Sequence, residues 1–214
     1  MFVKNQNIEK LLDKLGVEFE PELVPTKLEL YSKERNCFYD VSKKVSSDGG
    51  KIHYGWILHE NEFFFEAERH AVWENAKGNL INLTPQVENS NGNIFFVSQN
   101  DRFTYNGQFM PNLRVNSTKN KVVDDYIYVL EKVDFLLTFS TRKNEIEIEI
   151  TEPVKLVIDH LNYLSNVYYS YLKIGANERT ICFCGSHRMY KNCHSKKIKA
   201  EIDTIIKKIK IYLS

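Results

Sequence analysis

Apolar residues recur at helical spacing at the start of the chain. Ile8, Leu11, Leu12 and Leu15 share one face, which predicts a short helix over 7–16 with Gly16 placed to end it. Phe38, Val41 and Val45 form a second stripe. It predicts a helix over 36–46, with Asn36 as its candidate cap and Gly49-Gly50 breaking the chain afterwards. The period then shortens. Aromatic and apolar residues crowd 54–58 and 63–73, a turn signal follows over 75–79, and a short strand is expected over 80–83. Further strands are expected over 93–98 and 102–105, with turn-like Asn106-Gly107 and Met110-Pro111-Asn112 beyond them. From Val122 the helical period returns and predicts a long helix to about residue 142. Residues 145–150 alternate Glu and Ile, a strand pattern that a helix end would also satisfy. Thr151-Glu152-Pro153 has the hydroxyl and first-turn proline of a helix start, and the helix is expected to run to Gly175. A basic amphipathic helix over 196–213 closes the chain.

These elements predict an α+β protein: a mixed or antiparallel sheet with an N-terminal helix layer, a helical pair, and a C-terminal knuckle followed by a basic helix. The expected divisions are 1–115, 116–175 and 176–214. With 214 residues the chain is long enough to bury roughly 70% of its unfolded surface. Its 43% apolar and 27% charged content is that of an ordinary folded protein. A net charge of +1 gives no global field for nucleic acid or an anionic membrane. That balance conceals a step. From Glu178 onward there are nine basic and three acidic side chains, a net +6, against 20 basic and 25 acidic before it. The start, MFVKNQNIEK, has no apolar signal stretch, and no apolar run reaches the length of a membrane span. A cytoplasmic setting without membrane insertion is expected.

Three of the four cysteines fall within twelve residues as Cys182-Phe183-Cys184, eight residues, then Cys193-His194. Three thiolates and an imidazole form a closed tetrahedral zinc set with no position open to substrate, so a structural zinc is expected. Gly185-Ser186 lets the backbone fold tightly and aim N–H groups at the sulfurs. The run Cys-Phe-Cys-Gly-Ser-His-Arg-Met-Tyr-Lys-Asn-Cys-His resembles the SEC-C motif, the zinc element at the C-terminus of the SecA translocase motor. The usual pattern there is C-x-C-G-S-G-x-x-Y-K-x-C-H. His187 replaces a glycine and Phe183 a proline; neither removes a ligand, although His187 offers a further nitrogen. The resemblance covers about 15 residues, or about 35 with the basic helix. It implies an element that docks on a protein or ribosomal partner. It does not imply a translocase, because the chain has no G-x-x-x-x-G-K-[ST] phosphate loop.

Cys37, the remaining cysteine, lies in the first turn of the second expected helix, where the dipole favours a thiolate. His70 follows on a strand, and Asn82 lies on the next strand beyond the Lys77-Gly78 turn. Those strands should be antiparallel neighbours, so the three residues compose a nucleophile, a base and a group that orients the base. Cys37, His70-Ala71-Val72-Trp73 and Asn82-Leu83-Thr84-Pro85 resemble the pattern of transglutaminase-like and papain-like cysteine enzymes over residues 36–85. That resemblance implies amide hydrolysis or acyl transfer. Position 82 is Asn where most transglutaminase-like enzymes carry Asp, which weakens stabilisation of the imidazolium.

Other readings of these residues stand beside it. Cys37 as plain packing and His70 as a hydrogen-bonded structural residue leave a non-catalytic adaptor. His53 and His59 are alternative bases. Strand alternation puts Glu66, Glu68 and His70 on one face, as a second metal site or a solvated polar face. Trp56, Trp73 and Phe63-Phe64-Phe65 suit a core better than a ligand cleft. The basic helix suits a solvated face, with nucleic acid as its other candidate partner.

Overall fold

The computed structural model describes residues 6–17, 20–86, 92–99, 105–143 and 147–213. They form an α+β protein whose residues divide into two units: 1–61 with 65–115 and 142–148, and 62–64 with 116–141 and 149–214. The first unit carries helix α1 (Gln6–Leu15), strand β1 (Glu22–Val24) and helix α2 (Cys37–Asp48). Strands β2 (Lys51–Glu60), β3 (Phe64–Glu74), β4 (Leu80–Ile81), β5 (Ile94–Ser98) and β6 (Leu113–Asn116) follow. The sheet runs β1-β5-β2-β3-β4, with β6 also paired to β3. Its long hairpin is antiparallel, with Gly55 opposite His70 and Ile57 opposite Glu68.

Side chains alternate across the sheet, so each face collects its own cluster. On one face Trp56, Leu58, Phe65, Ala67 and Val97 pack against Ile8, Leu11 and Leu15 of α1. On the same face Ala71 and Ile81 meet Val41 of α2, with Phe38 and Val45 alongside. Ile57, Val72 and Phe96 join Val24 and Ile94 on the other. Gly55 is required there by close approach: a Cβ would lie 2.2 Å from the Val97 carbonyl oxygen and 2.4 Å from the Phe96 ring.

Several boundaries depart from the expectation, each for a local reason. The strand after the 75–79 turn ends at Ile81, because the Asn82 backbone bridges Thr26 instead. The Asn82 N–H donates to the Pro25 carbonyl, and its own carbonyl accepts from the Lys27 N–H. Asn36 does not cap α2 with its side chain, which donates to Asp40 Oδ1. Nor does the Thr151 hydroxyl cap its helix. The strands β1 and β6 were not expected. Residues 102–104 of the strand expected at 102–105 lie outside the described residues, and Tyr105 is not in a strand.

In the second unit helix α3 (Lys121–Leu137) is capped by the Asn120 side chain, which accepts from the Val122 N–H. It stops five residues before the expected end, since Thr141–Arg142 (β7) pairs with Ile148–Glu149 (β8) in a short ribbon. Helix α4 (Glu152–Lys173), the cysteine element and helix α5 (Ile198–Leu213) follow. The stretches expected as 116–175 and 176–214 share one core, in which Val129, Leu136 and Leu161 meet Cys182, Tyr190 and Ile202. Tyr190 ties this core together: its hydroxyl donates to Asp125 Oδ2 of α3 at 2.7 Å and meets the Tyr168 hydroxyl of α4 at 2.7 Å. Among the described residues no helix is long and apolar enough to cross a membrane.

Gly55→Ala should cost about 2–3 kcal/mol, because β5 must move away from the hairpin. Urea denaturation of the variant against the wild type measures that loss.

Candidate functional site

Two clusters of chemically competent side chains emerge, one in each unit. In the first, β3 carries His70, and the chain leaving β4 carries Asn82. The pairing of Trp73 with Ile81 and Glu74 with Leu80 leads directly to an Asn82 beside β3. The His70 Nε2 lies 2.9 Å from Asn82 Oδ1, and both residues are buried.

The Asn82 amide is held in one orientation. Its Nδ2 donates to the Thr84 carbonyl at 2.8 Å and to Thr26 Oγ1 at 3.0 Å, while its Oδ1 accepts from the Thr84 N–H at 3.1 Å. Turning the amide over would set donor against donor at Thr84 N–H and acceptor against acceptor at its carbonyl. With Oδ1 facing the ring, His70 Nε2 must carry the hydrogen, and Nδ1 keeps the basic lone pair. Burial pushes the His70 pKa below its ordinary value against the opposing effects of Asn82 and Glu68, so the ring is neutral near pH 7.

Cys37 opens α2 and is 6% exposed. The backbone N–H groups of Ala71, the residue after His70, and of Phe38 both favour its thiolate. Burial outweighs them, with Glu68 and Asp40 adding to it, and the thiol is pushed up to about 12. This corrects the expectation that the helix start favours a thiolate: desolvation is the larger effect, and the resting sulfur is protonated. No hydrogen bond joins Cys37 to His70. Beside Cys37, Asn36 and Asp40 are buried as well, and the Asn36 amide donates to Asp40 Oδ1.

The other histidines and acids are engaged differently. His53 Nδ1 lies 2.9 Å from Glu74 and its Nε2 3.0 Å from Ser98 Oγ. His59 Nε2 lies 3.5 Å from Glu68 Oε2. Glu66 pairs with Arg114 at 2.6 Å and accepts from Asn112. Glu66, Glu68 and His70 therefore have separate partners, and among the described residues the cysteine cluster is the one group able to hold a metal ion.

That group comprises Cys182, Cys184, Cys193 and His194, whose ligand atoms all lie within 4.8 Å of one another. Cys182 Sγ is 3.1 Å from His194 Nδ1, Cys184 Sγ is 3.5 Å from Cys193 Sγ, and Cys193 Sγ is 3.6 Å from His194 Nδ1. A tetrahedral ion with bonds of about 2.0–2.3 Å would need edges of roughly 3.5–3.8 Å. The 3.5 and 3.6 Å separations match those edges and the 3.1 Å one is shorter, so the four ligand atoms are close enough to converge on one ion. All four cysteines of the chain are free of disulfides. The Ser186 hydroxyl and N–H both hold the exposed Cys184 thiol down, to about 6, whereas burial raises Cys182. His187 is exposed and stands outside the group.

The sequence did not reveal Thr26 as a support for Asn82, because it lies 56 positions away and no local pattern marks it. Thr84 was within the quoted segment, and its two bonds to Asn82 are a local turn that the Asn-x-Thr spacing allows. No protein-family model, curated protein or solved structure matches this chain.

A histidine held neutral by burial makes stability depend on pH with a definite sign. The unfolded ring binds its proton near 6.5, above the folded value, so the folded state loses stability as pH falls below about 6.5. His70→Gln should flatten that part of the profile, as read from urea midpoints at pH 8, 6.5 and 5.

Proposed function

We propose that this chain is a cysteine-dependent acyl-transfer enzyme or amide hydrolase of the transglutaminase-like or papain-like kind, carrying a structural zinc element of the SEC-C type. The observation that carries the reading is the buried Asn82–His70 bond, which leaves Nδ1 as a base, on the strand whose next N–H faces the Cys37 sulfur. The resting pair is neutral. Cys37 sulfur attacks the substrate carbonyl carbon while its proton passes to His70 Nδ1. The imidazolium then protonates the departing amine, leaving a thioester on Cys37. Water or a second amine attacks that thioester, and His70 takes the incoming proton and returns it to sulfur. Asn82 holds the ring throughout.

At the other cluster, Cys182, Cys184, Cys193 and His194 would hold zinc, whose contribution is folding energy rather than chemistry. The positive φ of 57° at His187 supports the SEC-C resemblance, because the usual pattern has glycine there. The reading keeps a cytoplasmic setting, in which these thiols stay reduced.

The burial of Cys37 favours a second reading, a zinc-stabilised adaptor that docks on a protein or ribosomal partner. An open apolar groove of about 630 Å³ lined by Tyr163, Val167, Ile174, Ile181 and Phe183 gives that reading a surface.

Two measurements follow. p-Nitrophenyl acetate should give a stoichiometric burst of p-nitrophenol that Cys37→Ala abolishes and His70→Ala slows by about 10²-fold or more. A wild-type chain giving no Cys37-dependent burst rejects the enzyme and leaves the adaptor. Elemental analysis should find one zinc per chain, lost in Cys184→Ser, and chelation should unfold the cysteine element as followed by tyrosine fluorescence. Folded chain without stoichiometric zinc would refute the metal assignment.

A further inference from the structure

A base that accepts a proton in a buried site becomes an imidazolium, and some nearby group must favour that charge. Asn82 helps through the hydrogen bond that its Oδ1 accepts, but its amide is neutral and brings no opposing charge. Transfer of the Cys37 proton therefore calls for an anion elsewhere around His70.

The β-register supplies one. Glu68 lies two residues before His70 on β3, so both side chains leave the same face of the sheet. Across the hairpin, Gly55 stands opposite His70 and Ile57 opposite Glu68, so no charged side chain of β2 lies directly across from either. Next along β2 on that face is His59, whose Nε2 is 3.5 Å from Glu68 Oε2. The carboxylate thus has an imidazole on β2 and the His70 ring on β3 as neighbours.

We propose that Glu68 is the anionic positioning residue of His70, supplying through space the negative charge that Asn82 lacks when the ring takes the proton of Cys37. This role rests on the Cys37–His70–Asn82 reading and extends it by one residue.

The charges around the site agree. Burial alone would raise the Glu68 carboxyl, but the His59 contact at 3.5 Å and the charges of His70, His59 and Arg35 outweigh it and keep the group ionised. Glu68 in turn favours the charged form of His70, while His59 opposes it. Arg35, two residues before Cys37, adopts a positive φ of 60° on the approach to α2. Asp40 of α2 and Glu68 of β3 both disfavour a Cys37 thiolate. Glu68 therefore acts in two directions: it keeps the sulfur protonated at rest and favours the imidazolium once the proton has moved. The groups acting on His70 are Glu68 on its own strand, His59 on β2 and Asn82 beyond β4, while Arg35, before α2, acts on Glu68.

The test uses the full chain with Glu68→Gln, and Glu68→Asp as the conservative variant. The His70 ring is followed by ¹H–¹³C correlation NMR against pH, its signal assigned by loss in His70→Gln. Acylation of Cys37 by p-nitrophenyl acetate is followed against pH in parallel. In E68Q the His70 titration and the acid limb of acylation should both move to lower pH, and the rate at pH 7 should fall about tenfold. E68D should restore most of both. A merely structural role would change the rate without moving either titration. A burst that requires Cys37 and His70 but is indifferent to E68Q, with the ring titration unmoved, overturns the role of Glu68 alone. Absence of any Cys37-dependent burst in the wild type overturns the enzyme reading and this role together.

Discussion

The orientation of one side-chain amide controls the chemistry available to the first unit. Asn82 makes three bonds besides the one to His70, and they fix which of its ends faces the ring. That choice determines the tautomer of His70, and the tautomer determines which nitrogen can accept a proton. The fold serves this arrangement at some distance. Gly55 lets Phe96 close the sheet opposite His70, and the 25–27 segment crosses to anchor Asn82 through its backbone. A single buried amide thus depends on three separate stretches of chain, and it carries their geometry to one imidazole ring.

The cysteine cluster of the second unit is organised on another principle. Its ligands come from a segment of thirteen residues, and its own turns bring them together. What it requires from elsewhere is a floor. Tyr190 supplies that by reaching Asp125 and Tyr168, and Asp125 is also met by Lys199 of α5 at 3.3 Å. Losing the Tyr190 hydroxyl would strand a buried carboxylate oxygen, a cost of about 1–3 kcal/mol.

Both clusters were legible in the sequence to different depths. The four residues able to hold a metal ion could be read directly, because close spacing of soft ligands is a local signal. The His70–Asn82 pairing was readable through the hairpin, since a turn at Lys77-Gly78 makes adjacent strands. The state of Cys37 was not readable. Its place at a helix start suggested a thiolate, but desolvation depends on what packs over the residue, and neither α2 nor β3 states that locally. Thr26 and Arg114 were hidden for the same reason, as each acts across more than forty positions. The short strands β1 and β6 were missed because three or four residues carry too little alternation to stand out. Helix α3 was drawn too long because no glycine or proline follows Leu137 to mark its stop.

The protonated state of Cys37 bears on how the chain survives its surroundings. Peroxides and adventitious electrophiles react with the anionic form of sulfur, and a thiol that burial has pushed up to about 12 stays protonated at neutral pH. A sulfur kept in that condition is shelved rather than armed, and it is shielded from the slow oxidative attrition that claims exposed, acidic thiols.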